Sequence, residues 1–397
     1  MSKWLERLTH QLEQNAAQHL QRERFCTSTP QASSIVVDGE RLDNFSSNDY
    51  LGFANHPEVV GAFRDAASRF GVGGGASHLV CGHSILHQQL EVALAEYTGR
   101  DRALLFGSGY MANMAVLTTL AGRGDSIFQD KLNHASLIDG GLASGAAHYR
   151  YRHKDLQHLA ALLAGRRKGQ PMIVTDAVFS MDGDCAPLAA LAAYAAAQDA
   201  ILIADDAHGF GVLGEHGAGL AEKLQLDQQA LPVLIATLGK AYGVQGAFVA
   251  GSEALIETLL QTARQYIYTT AMPPASAAAV LAGLELNLRE PQRRQHLQSL
   301  VQHFKRGCQS LGLPLLHNDG EDTPIQPLLV GDNVTALRIA QELRRRNILA
   351  VAIRPPTVPR GTARLRISFS AAHSIEQVDR LLDALAQGFA LFAEPAA

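Results

Sequence analysis

The chain has 397 residues, 47% of them hydrophobic and 18% charged, a balance that excludes global disorder and at this length points to two or three packed units. Its formal charge of −4, with basic residues spread along the chain, argues against nucleic acid as the main partner. Four well-separated cysteines, Cys26, Cys81, Cys185 and Cys308, lack zinc or dithiol spacing and read as packing thiols of a reducing compartment.

The opening residues, MSKWLERLTHQLEQ, are charged and helix-like, without the apolar core of a secretory signal. A hairpin-like segment, VVDG followed by LDNFS, comes next. Dense glycines in GVGGGASHLVCGH, from Gly71, precede a helix that begins near Ser84. No strand with a G-x-G-x-x-G unit stands before that helix, so the segment reads as a close-approach loop and not a dinucleotide site.

Apolar β-rich runs then alternate with helix-period runs. The strands are ALLF from Ala103, SIF from Ser126, MIVT from Met172, AILIA from Ala200, VLIAT from Val233 and AFVA from Ala247. Strands apolar on both faces and separated by helices predict a mostly parallel sheet covered by helices. The longest apolar stretch, Ala186 to Ala197, is too short and too alanine-rich to span a bilayer, and the cytoplasm is the expected location. After about Pro291 a long amphipathic run leads to the strand-like IQPLLV, ILAVA and LRISFS, with a last helix from Ser374. The expected fold class is α/β, with an N-terminal helix and hairpin segment at 1–50, a large domain at 51–290 and a smaller C-terminal α/β domain at 291–397.

Chemistry concentrates at the predicted strand ends. VLIAT delivers Thr237 and then Lys240 into a glycine-containing turn, and desolvation there would favour the neutral amine needed for Schiff-base chemistry. A lysine snorkelling out of a loop is the plain alternative. AILIADDAHGFG carries Asp205 to the carboxyl end of a strand, where α/β ligands sit, with His208 three residues on. That pair could serve a protonated pyridine nitrogen and a ring oxygen, or could be a metal pair or a helix cap. ALLFGSGYMANMAVL runs from a strand through Ser108, Gly109 and Tyr110 into a helix, whose free N–H groups suit a phosphate. His134 precedes a helix start, and Ser180 follows the MIVT strand; both also read as ordinary caps and turns. Arg366 lies inside the LRISFS strand, suited to a carboxylate through a bidentate fork, with Thr357 in the proline-rich loop before it. No other His/carboxylate cluster in the sequence supports a metal site.

Together SSNDYLG, NHASL, VFSMDGD, DDAHGFG, TLGKAYG and RPPTVPRGTARLR resemble, in order and over nearly the full length, the α-oxoamine synthases. These are fold-type I pyridoxal-phosphate transferases that condense an amino acid with an acyl thioester. The resemblance implies pyridoxal 5'-phosphate held as an imine on Lys240, which also acts as acid and base. It implies Asp205 at the pyridine nitrogen, His208 at the ring oxygen and His134 stacked on the ring. Ser180 and Thr237 would contact the cofactor, and the backbone of Gly109 and Tyr110 its phosphate end. Arg22, Asn48, His134, Thr357 and Arg366 fall at substrate-facing positions, with Arg366 on the amino-acid carboxylate. Family members are homodimers with the active site at the interface, where Thr269 or Thr270 would reach the neighbour's phosphate. Many relatives carry arginine where this chain has His78, and a histidine there is similar to the biotin-pathway branch. That branch implies decarboxylative condensation of L-alanine with pimeloyl-CoA or pimeloyl-acyl carrier protein. The alternative is another α-oxoamine synthase, such as a glycine C-acetyltransferase.

Overall fold

The computed structural model describes residues 2–317 and 322–392. The chain divides into two compact units, one of Met1–Ser47 with Gln298–Ala397 and one of Asn48–Leu297. The boundary falls inside the helix Pro291–Ser310 and not at its start, and the N-terminal segment shares a unit with the C-terminal residues.

In chain order, the first unit opens with the helix Lys3–Ala17 and the antiparallel hairpin of β1 (Ser34–Val37) and β2 (Glu40–Asn44). Asp38 and Gly39, at φ of 50° and 86°, close that hairpin in the left-handed conformation that two-residue turns favour.

The second unit holds β3 (Arg102–Phe106), β4 (Ser126–Asp130), β5 (Ala147–Tyr151), β6 (Pro171–Asp176), β7 (Ile201–Asp205), β8 (Val233–Thr237) and β9 (Ala247–Gly251). They form one sheet in the order β3-β9-β8-β7-β6-β4-β5, with β9 alone antiparallel to its neighbours. Side chains alternate between its faces, as the two-residue period of a strand requires. Ile127, Met172, Val174, Ile203, Val233 and Ile235 enter one core, which the helix Gly109–Leu120 covers with Ala112, Ala115 and Val116. Phe128, Ile173, Leu202, Ala204 and Leu234 enter the other, against Leu188 and Leu191 of the helix Leu188–Ala197. β5 escapes a reading by hydropathy: its sequence AHYRY is half-exposed at the sheet edge and buries only Tyr151.

The first unit resumes with β10 (Ile325–Gly331), β11 (Ile348–Leu349), β12 (Val351–Ile353) and β13 (Ala363–Ser368). β11 extends the β1–β2 hairpin in parallel, while β13 lies between β10 and β12 and pairs antiparallel with both. Every residue of β13 is buried. Among the described residues no helix is long and apolar enough to cross a membrane.

Neighbouring parallel strands end on the same side of their sheet, so β6, β7 and β8 deliver Asp176, Asp205 and Thr237 side by side at their carboxyl ends. The turn after β8 is closed by bonds from Leu238 N to the Gly246 carbonyl (2.9 Å) and from Gly243 N to the Lys240 carbonyl (2.8 Å). Gly243 sits at φ +64°, and a Cβ there would lie 2.3 Å from the Ala54 nitrogen. That segment is itself fixed, because Asp49 accepts hydrogen bonds from the backbone of Phe53 and Ala54. Gly243→Ala should therefore lower unfolding free energy in urea by at least about 2 kcal/mol and displace the Lys240 turn. A variant as stable as the parent chain would contradict this packing.

Candidate functional site

The Asp205 carboxylate is 6% exposed at the end of β7. Its Oδ2 accepts 2.6 Å from Asn113 Nδ2, on the helix that follows β3, and its Oδ1 accepts 3.0 Å from Ala207 N. Two further carboxylates flank it. Asp176 is pushed well above the usual carboxylate range by burial and then by the charge of Asp205, and burial likewise pushes Asp206 up to about 8. In both, burial favours the protonated form.

Asn113 also donates 2.8 Å to Ser136 Oγ, which lies 2.7 Å from His134 Nδ1. The Ser136 amide donates to the same nitrogen at 3.3 Å, so Nδ1 is an acceptor and the neutral ring carries its proton on Nε2. Burial lowers the His134 pKa, in keeping with a neutral imidazole. The His134 amide donates to Asp176 Oδ2 at 2.8 Å, which fixes the ring's backbone to the end of β6.

On the other side Lys240 Nζ lies 2.7 Å from His208 Nε2, and His208 Nδ1 lies 2.7 Å from the Tyr50 hydroxyl. Tyr50 in turn donates 3.1 Å to Asn48 Oδ1. An ammonium can only donate, so the directions run from Lys240 to His208, from His208 to Tyr50 and from Tyr50 to Asn48. The chain of bonds holds the lysine head at the cavity and ends on Asn48. The resemblance sets His208 against a ring oxygen; here its Nε2 meets the lysine amine.

Gly109, Tyr110, His134 and Ser180 line one cavity with Asp205, His208, Thr237 and Lys240. Ser108 caps the helix Gly109–Leu120 by accepting from Met111 N, which leaves the first amides of that helix at the cavity wall as an anion seat. Thr237 Oγ1 donates 3.0 Å to the Gly246 carbonyl and accepts 3.3 Å from Gly239 N, which ties it to the lysine turn. The donor set suits pyridoxal phosphate at each end: an amine for the aldehyde, a carboxylate for the ring nitrogen, an imidazole for a ring face and helix amides for the phosphate. Asn113 Oδ1 is buried without a hydrogen-bond partner.

Arg22, Thr357 and Arg366 belong to the other unit. Arg22 Nη2 donates 3.4 Å to Thr357 Oγ1, and the buried Arg366, on β13, donates 2.7 Å to Ser368 Oγ. Thr270 pairs with Ser77 of the glycine-rich loop. In that loop the structure brings together three histidines that their spacing did not flag, His78, His83 and His87. His78 Nδ1 and His83 Nδ1 are 2.9 Å apart, while His87 Nδ1 accepts from Ser84 N and its Nε2 meets the Met272 carbonyl at 2.8 Å. Burial, with help from the neighbouring rings, holds His78 down to about 3.

Three supporting residues were missed in the sequence: Asn113, Ser136 and Tyr50. Asn113 had a signal, as a lone polar residue in the apolar run MANMAVL, one turn after the proposed anion seat. Asn113→Leu removes the donor to a buried carboxylate, a contact of about 1.5–3 kcal/mol. Cofactor affinity, measured by dialysis and absorbance, should fall by about tenfold or more. Unchanged affinity would show that Asp205 needs no such partner.

The model of the aminotransferase class I and II family matches residues 41–385. An 8-amino-7-oxononanoate synthase of Pseudomonas putida is 57% identical over 380 residues, 96% of each chain. One from Stutzerimonas stutzeri is 56% identical over 387 residues, 98% of each. Among solved structures, the serine palmitoyltransferase of Sphingomonas wittichii superposes with a TM-score of 0.91 at 28% identity, over 98% of both chains. An 8-amino-7-oxononanoate synthase from Francisella tularensis gives 0.75 at 32% identity, covering 88% of this chain and 98% of that one.

Proposed function

The chain belongs to the aminotransferase class I and II family and, within it, to the 8-amino-7-oxononanoate synthases, and from that membership and the cavity's geometry we propose that it joins L-alanine to a pimeloyl thioester with loss of CO2. It is a pyridoxal-phosphate acyltransferase of biotin synthesis. The observation that carries the reading is the convergence of Lys240, Asp205 and His134 with the helix amides of Gly109 and Tyr110 on one cavity.

When bound, pyridoxal 5'-phosphate supplies an aldehyde that takes up amines and a ring that accepts electron density from the carbon beside the captured nitrogen. Lys240 would hold the aldehyde, and its Nζ, once free, would take the proton from the alanine Cα. Asp205 stabilises positive charge at the ring nitrogen, and Asn113 holds the carboxylate in place for this. His134 covers one ring face and, with its proton on Nε2, can donate to the carboxylate or to the new ketone oxygen. His208, held by Tyr50, sits where it can hydrogen-bond the ring oxygen once the lysine amine is engaged. Ser180 and Thr237 contact the cofactor, and Arg366 takes the alanine carboxylate through its fork, with Arg22, Asn48 and Thr357 toward the substrates. The free thiol carrier, coenzyme A or acyl carrier protein, leaves after the new carbon–carbon bond forms.

Borohydride treatment of the holoenzyme should fix the cofactor to the peptide bearing Lys240, and Lys240→Ala should lose both this mass increment and turnover. Product mass from alanine with pimeloyl thioester, compared with glycine and acetyl thioester, separates this reaction from glycine C-acetyltransferase. Wild-type turnover by Lys240→Ala, or product only from glycine and acetyl donor, would overturn the reading.

The working form is a homodimer with the active site at its interface, in the cytoplasm. Supporting the dimer is an exposed apolar set in and after the glycine-rich loop, with Val72 88% and Val80 76% exposed, together with Leu79, Ile85 and Tyr268. Light scattering after gel filtration should give twice the chain mass of 42.6 kDa. A value of 42.6 kDa at micromolar concentration would contradict it.

A further inference from the structure

His153 lies two residues beyond β5 and is not among the residues that line the cavity, yet both of its ring nitrogens face carboxylates. Nδ1 is 3.0 Å from Asp130 Oδ1 and 3.1 Å from Oδ2, and Nε2 is 3.0 Å from Asp184 Oδ2. Both carboxylates are buried, and ionised carboxylates can only accept, so both ring nitrogens must donate. Although burial opposes the charge, the hydrogen bonds from the ring to Asp130 and Asp184 raise the His153 pKa to about 9. Lys154 balances the second negative charge, with Nζ 2.8 Å from Asp184 Oδ2 and its amide 2.8 Å from Asp130 Oδ2.

The two carboxylates sit at the roots of two different cavity loops. Asp130 ends β4, and its Oδ1 accepts from Leu132 N at 2.9 Å while its carbonyl accepts from Asn133 N, in the turn that leads directly to His134. Asp184 closes the loop after β6. Phe179 N donates to the Asp184 carbonyl at 2.9 Å, and Gly183 N to the Phe179 carbonyl at 2.8 Å, so residues 180–183 form a tight tip that begins with Ser180. The Phe179 ring also meets the imidazole edge-on, with centroids 4.4 Å apart.

We propose that His153 is a positioning residue for the cofactor, a clasp that sets the His134 turn through Asp130 and the Ser180 tip through Asp184. The inference rests on the reading of His134 and Ser180 as cofactor-facing. An uncharged or single-donor side chain at 153 leaves at least one buried carboxylate without its partner, and the two loops lose their common anchor.

The test compares His153→Gln with Ser180→Ala in the holoenzyme. It follows the dissociation constant of pyridoxal phosphate, the circular dichroism of its bound absorption band, and the melting temperatures of the apo and holo forms. His153→Gln should weaken cofactor binding by about tenfold or more and change the dichroic band. A purely structural role would lower both melting temperatures together and leave affinity and band unchanged, and that result overturns the inference. If Ser180→Ala weakens binding while His153→Gln does not, the clasp fails and the reading of Ser180 stands. If His153→Gln weakens binding while Ser180→Ala does not, the reading of Ser180 fails and the clasp stands through the His134 turn. If neither affects binding, both fail. Should His153→Gln not fold, His153→Gln with Asp130→Asn removes the carboxylate charge that Lys154 Nζ does not pair, and is measured by the same criteria.

Discussion

The strand ends of a parallel sheet impose the constraint from which the site follows. β6, β7 and β8 run the same way, so the polar residues that stop each apolar strand come out side by side. A carboxylate, Asp205, and an amine, Lys240, are thereby held at one cavity, the first at the end of the buried β7 and the second in the turn that follows the buried β8. Neither group could keep its place on a mobile loop, because removing charge from water costs more than a flexible contact returns. The enzyme meets that cost with hydrogen bonds: Asn113 and the Ala207 amide for the carboxylate, His208 for the amine.

Electrostatics sharpen the arrangement. Three aspartates, Asp176, Asp205 and Asp206, crowd the carboxyl ends of neighbouring strands, and burial favours the protonated form of two of them. Asp176 then serves the His134 backbone and Asp206 the Leu220 amide, both as structural acceptors. The third is the carboxylate we propose for the ring nitrogen. His134 and His208 show the same division by hydrogen-bond direction: the first accepts on Nδ1, the second donates from it.

The sequence made the first ring of residues legible because each follows an apolar strand directly. Lys240, Asp205 and Ser180 stand out as polar residues after runs such as VLIAT, ILIA and MIVT. Their supports were hidden because the partners are remote in the chain. Asn113 and Asp205 are 92 residues apart, Tyr50 and His208 are 158 apart, and His153 and Asp184 are 31 apart. No periodicity encodes such pairs. β5 was missed because an edge strand needs no apolar alternation, and the reversal of β9 follows from a connection, 238–246, too short for a parallel crossover. The family motifs, which span both units, supplied what periodicity did not: the cofactor and the class of reaction.

We propose that the Asp205 carboxylate keeps the cofactor's ring nitrogen protonated in the working enzyme. Nitrogen magnetic resonance of holoenzyme loaded with pyridoxal phosphate labelled at that nitrogen reads the proton directly. A protonated nitrogen is expected at neutral pH in the native chain, with loss of that proton in Asp205→Asn. A deprotonated nitrogen in the native chain, or one whose state Asp205→Asn leaves unchanged, would contradict it.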